Sequence, residues 1–77
     1  MKIENALDYI GLFSYHQEIE IIEESSRNVL YKGVLGVMWN LFNYQMLKHY
    51  NVTRCSSYNK NNESCCIVFV KLKEESQ

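Results

Sequence analysis

Few residues in this 77-residue chain are of a type that does chemistry. Asp8 is the single aspartate, His16 and His49 are the two histidines, and Cys55, Cys65 and Cys66 are the three thiols. An enzyme needs an activated nucleophile, an acid–base pair or a metal. The chain holds no Gly-x-Ser-x-Gly, no Walker-type glycine loop and no His-Glu-x-x-His, and three glycines leave little from which to build a phosphate cradle. The best metal set is His49, Cys55, Cys65 and Cys66. Tetrahedral zinc needs four ligands that converge. Cys65 and Cys66 are adjacent, so in a strand they face opposite ways, and there is no Cys-x-x-Cys. These residues therefore imply no catalytic site, no metal and no cofactor, and the thiols read as small hydrophobes. A contact of Cys55 with Cys65 or Cys66 becomes possible if a turn centres near Lys60.

Two charged sets could instead recognise a partner. Glu18, Glu20 and Glu24 share one face of a strand, with neighbours ~6.5–7 Å apart, close to the phosphate spacing of one nucleic-acid strand. Such a row could imitate a nucleic-acid backbone in an arginine-lined channel, or simply keep a sheet face solvated. The second set is basic: Lys48, Arg54, Lys60, Lys71 and Lys73, with Tyr58 and Phe69 as aromatic platforms for a small nucleic-acid-binding regulator. The net charge of −1 argues against a general nucleic-acid binder. It conceals an asymmetry, because residues 1–47 sum to −3 and residues 48–77 to +2.

The elements that must position these groups follow from periodicity. Ile3, Ala6, Leu7, Ile10 and Phe13 have helical spacing, and Gly11 marks the place where that helix ends. Residues 18–24 alternate and are β-branched, which predicts a strand with one wet face. Ser25 to Asn28 reads as a turn, with Asn28 tolerant of a left-handed backbone, and Val29 to Val34 as the returning strand. Ile21 and Ile22 point to opposite faces, a conflict that a bulge resolves. Leu35 to Tyr50 reads as one helix, with Leu35, Met38, Trp39, Phe42, Met46, His49 and Tyr50 in a stripe and Gly36 as its cap. Residues 51–58 form a third strand, 59–63 a polar turn and 64–73 a fourth strand. The expectation is one small α+β domain over residues 1–77, in two layers of order αββαββ, with an antiparallel sheet and both helices on one face.

This pattern leaves a surplus of apolar surface. Leu41, Tyr44 and Leu47 lie off the stripe of the second helix, and Ile67 and Phe69 lie on the strand face opposite Cys66, Val68 and Val70. A thin two-layer domain buries one face of each element, so either a protein partner or a second copy of the chain covers the rest, or a more wrapped fold buries both sides of the helix. Six tyrosines fit a recognition surface. The partner-binding set is Glu18, Glu20, Glu24, Tyr44, Leu47, Ile67 and Phe69. No apolar run approaches the ~20 residues of a membrane span, and residues 1–5 lack a signal-peptide core. The expected location is the cytoplasm, where the sequons at Asn51 and Asn62 go unread and three thiols stay reduced.

The helix end Leu7-Asp8-Tyr9-Ile10, the strand Glu18 to Glu23, the polar turn, Val29-Leu30-Tyr31-Lys32-Gly33 and the last apolar strand Cys66 to Leu72 together resemble small proteins encoded by phages and mobile elements of low-GC Gram-positive bacteria. Where those proteins commonly continue with an Asp-Ile-Pro helix start, this chain has Val37-Met38. The resemblance implies a mobile-element origin. By analogy of size and setting it implies an anti-CRISPR-type inhibitor, a non-enzymatic protein that binds a defence nuclease in the cytoplasm of an infected cell.

Overall fold

Two β-hairpins lie side by side in one four-stranded sheet, with short helices packed on one of its faces. The computed structural model describes residues 3–41 and 43–73, without the Leu41 side chain. The elements are α1 (Ala6–Ile10), β1 (Glu18–Glu23), β2 (Val29–Val34), α2 (Leu35–Leu41), a 3-10 helix (Tyr44–His49), β3 (Tyr50–Lys60) and β4 (Glu63–Leu72). The strand order is β2-β1-β4-β3. Each hairpin is antiparallel, but the inner strands β1 and β4 pair in parallel, from Glu18 opposite Cys65 to Glu23 opposite Val70. The sheet is therefore mixed, which corrects the antiparallel expectation.

The reason lies in the segment between the hairpins. Seven α-helical and six 3-10 residues span roughly 22 Å, about the length of a six-residue strand. That segment carries the chain from the end of β2 back to the end of the sheet where β2 began. β3 therefore starts there, and β4 returns parallel to β1.

α1 starts on a reciprocal cap: the Asn5 side chain accepts from the Asp8 N–H at 3.0 Å, and the Asp8 carboxylate accepts from the Glu4 N–H at 3.1 Å. Gly11 closes the helix, its N–H reaching the Leu7 carbonyl. β2 runs without a break into α2, so no side chain caps α2. Its first N–H groups, from Leu35 and Gly36, donate instead to the carbonyls of Gln17 and Tyr15, both at 2.9 Å. Gly36 thus sits inside the helix and is not its cap. A Cβ there would stand 3.1 Å from the Tyr15 carbonyl oxygen, which explains the glycine.

The expected sixteen-residue helix is not continuous: α2 ends at Leu41. Asn43 leaves helical geometry (φ −74°, ψ 75°), and the chain resumes as a 3-10 helix. The break rotates the later residues. Leu47, off the stripe of a continuous helix, becomes fully buried, and His49 turns to solvent. In the first hairpin the register shifts between Ile21 and Ile22, and the extra residue on β2, Leu30, packs toward the core. The left-handed residue of that turn is Arg27 (φ 65°), not Asn28. The second hairpin closes more tightly than expected, on Asn61 and Asn62 (φ 52° and 66°), a two-residue loop between Lys60 and Glu63.

The core joins Ala6 and Ile10 of α1, Leu35 and Met38 of α2, Leu47, Tyr50, and the sheet residues Ile19, Ile21, Val68 and Val70. Among the described residues, every buried helix residue belongs to this one cluster, so the helices cover one face of the sheet.

Candidate functional site

The pairing registers lay out the other face as rows across all four strands. One row runs Tyr58, Cys65, Glu18, Val34; the next Ser56, Ile67, Glu20, Lys32; the third Arg54, Phe69, Ile22, Val29. Among the described residues, no helix packs over these rows. Four of the predicted binding residues, Glu18, Glu20, Ile67 and Phe69, share this face, and Glu24 joins them at the end of β1 through its contacts with Arg54 and Thr53.

The face covers part of its own apolar surface. The Arg54 guanidinium lies 3.9 Å from the centroid of the Phe69 ring. Its Nε–H donates to Glu24 Oε2 at 3.3 Å, and the Thr53 hydroxyl donates to the same oxygen at 2.8 Å. The Thr53 bond, and then the Arg54 bond and charge, hold the Glu24 carboxyl below the ordinary glutamate value. Phe69 is consequently only 9% exposed, which corrects its reading as an open apolar contact. Cys65 is buried in the same way: its thiol donates to Glu18 Oε2 at 3.1 Å. That bond, burial and the Glu18 charge push the thiol's pKa up. What stays accessible is a central strip of half-buried Ile67 and Ile22, flanked by exposed Val29, Val34 and Tyr58.

The acidic row does not stand alone. Lys32 lies directly across from Glu20, Arg54 engages Glu24, and Lys71 follows Phe69 on β4. The face is amphipathic with mixed charge. Sequence reasoning missed Ile22, Val29, Lys32 and Val34. Their only signal is register, which depends on the Leu30 irregularity and on the β1–β4 pairing.

The remaining predicted binding residues lie elsewhere. Leu47 is 0% exposed and belongs to the core, so it cannot contact a partner. Tyr44 packs edge-on against Trp39, with ring centroids 4.7 Å apart, and lines a shallow groove of ≈ 400 Å³ with Leu7, Leu12 and Asp8 on the helix side. The Leu41 side chain and Phe42 lie outside the described residues.

The basic set is strung along the second hairpin. Lys48 precedes β3, Lys73 follows β4, and Lys60 ends β3. Lys60 lies nine residues along the strand from Asn51, the register partner of Lys71, roughly 30 Å away. Arg54 and Lys71 share the open face, but Arg54 occupies the Phe69 ring that a base would stack on.

Cys55 is opposite Val68, and Cys66 opposite Ser57, so these two thiols are diagonal neighbours on the helix-side face while Cys65 points away. Tyr9 of α1 reaches them. A hydrogen bond to Cys55, then burial and the two thiols' charges, push its pKa up to about 12. All three cysteines are unbridged. Among the described residues no group of three or more His, Cys, Asp or Glu converges to hold a metal, and no helix is long and apolar enough to cross a membrane.

No family model matches the chain, and comparison with curated proteins and with solved structures returns no significant match.

Proposed function

We propose that the protein is a non-enzymatic binding module for another protein, and that its working surface is the helix-free face of the sheet. The observation that carries this reading is the three-row layout of that face: an apolar strip of Ile22 and Ile67 framed by charges of both signs. Among the described residues no helix covers this face, and a half-buried apolar strip of this kind suits the centre of an interface with a polar rim. The mixed charge favours docking that blocks a partner's surface over imitation of a nucleic-acid backbone, because Lys32 and Arg54 interrupt the acidic row. The resemblance to phage and mobile-element proteins points to a bacterial defence nuclease, such as a CRISPR effector, as the target, in the cytoplasm of the infected cell. The alternative, a nucleic-acid-binding regulator, gains little from cations so widely spaced.

The test is plasmid interference in a low-GC Gram-positive host with an active CRISPR nuclease. Expression of the protein should restore transformation. Ile67→Lys, which leaves the core untouched, should abolish that effect while the circular dichroism spectrum stays unchanged. No restoration by the unaltered protein would remove the CRISPR-nuclease reading. Restoration that survives Ile67→Lys would remove this face.

A further inference from the structure

The two edges of the sheet are built differently. β2 is short and blunted: six residues, a register shift at Leu30, Lys32 in its middle, the Tyr31 hydroxyl donating to the Val34 carbonyl at 2.8 Å, and an immediate turn into α2. These are the devices that keep an edge from pairing with another chain. β3 has eleven residues and is exposed from Thr53 to Lys60. The stretch Cys55-Ser56-Ser57-Tyr58-Asn59 has no charge, and the register shift at Thr53 lies outside it.

The turn determines which backbone groups this edge presents. In a two-residue hairpin the closing pair, here Lys60 and Glu63, exchanges both of its hydrogen bonds, and inward and outward residues then alternate. Tyr58 and Ser56 therefore point their N–H and C=O groups at β4. Asn59, Ser57 and Cys55 point theirs outward.

We propose that this edge pairs antiparallel with β3 of a second copy, about a two-fold axis at Ser56, to form a continuous eight-stranded sheet. The composition of the strand selects the register. With the axis at Ser56, Cys55 pairs with Ser57 of the second copy and Arg54 meets Tyr58, a cation beside an aromatic ring. An axis at Ser57 would set Arg54 against Lys60, like charges directly opposed. An axis at Cys55 would place the irregular Thr53 opposite Ser57 and shorten the regular ladder to Arg54–Ser56, whereas the axis at Ser56 keeps Arg54 to Tyr58 paired without Thr53. Because the β2 edge is blunted, head-to-tail growth through β2 is blocked, and the assembly closes at two.

The test needs no partner: sedimentation equilibrium over a concentration series of the chain alone. A species of twice 9.1 kDa is expected. Ser57→Pro removes an outward N–H that the fold itself does not use, so the variant should fold and dimerise about tenfold or more weakly. Ser56→Lys opposes two ammonium groups at the axis and should weaken the dimer in a way that added salt relieves. A 9.1 kDa species at every concentration overturns the proposal. So does a dimer indifferent to both substitutions, and one abolished by Ile67→Lys alone would move the contact to the open face.

Discussion

At the scale of single residues, the second hairpin is fastened to the first by side chains of β1, its flanking turns and the chain just before it. The Gln17 amide donates to the carbonyls of Glu18 and Ser64, at 2.9 and 2.7 Å, and clips the start of β1 to the start of β4. Glu24 does the same at the far end through Thr53 and Arg54, and Tyr50 donates to Glu23 at 3.1 Å. Because the Glu24 carboxyl is held below its ordinary value, it contributes stability that is fully present above the unfolded value of about 4.3 and is lost as pH falls through the folded one. Melting temperature measured against pH should therefore fall more steeply on acidification for the unaltered protein than for Glu24→Gln, with the two curves converging in acid. Parallel curves would show that the Thr53 and Arg54 contacts contribute nothing. None of these roles was visible in the sequence. Gln17 lies outside the periodic segments, and a contact spanning 47 residues has no local signature.

At the scale of elements, legibility followed the range of the interactions that define each one. The strands appear within a residue or two of their expected positions, because alternation and β-branching are local. The bulge near Ile21 was legible for the same reason: two adjacent isoleucines cannot both face one core. The second helix was misread because its period is continuous across the break at Asn43, and tertiary packing of Leu47 outweighs that period. The apolar surplus assigned to Leu47 thus has an internal solution in a chain that wraps its own core. Replacement should separate the two readings. Leu47→Ala should cost ~2–4 kcal/mol in denaturant unfolding, as expected for a buried leucine, whereas His49→Ala should stay within ~0.5 kcal/mol. The reverse ranking would restore the continuous helix. Gly33 belongs to this scale too. Its φ of 151° and the Tyr31 hydroxyl, 2.9 Å from where a Cβ would stand, leave that position to glycine.

At the scale of the whole molecule, the parallel junction of β1 and β4 is what makes two hairpins one protein. An isolated two-stranded hairpin is marginally stable at best in water, and β4 buries Val68 and Val70 only when α1, α2 and β1 lie over and beside it. A peptide of residues 50–73 should therefore give the circular dichroism of an unfolded chain. A stable sheet in that peptide would mean that the hairpin is an independent unit. The helix-free face carries the binding proposal, and it too exists only after this junction forms, since every row crosses from β2 through β1 and β4 to β3. How the hairpins join was not legible, because it depends on the length of the helical segment projected along the sheet and not on any motif.

That central place for β4 orders events during synthesis. The strand translated last of the four lies in the middle of the sheet, against one made 47 residues earlier. On the ribosome, β1 and β2 emerge with an inner edge unpaired, and they wait for nearly the whole chain before it is filled. Contacts this distant in sequence form slowly relative to local ones. Through that delay the waiting edge carries the glutamates of β1 and its turn, Glu18, Glu20, Glu23 and Glu24, and charge of this kind on an open strand edge disfavours its pairing with another chain.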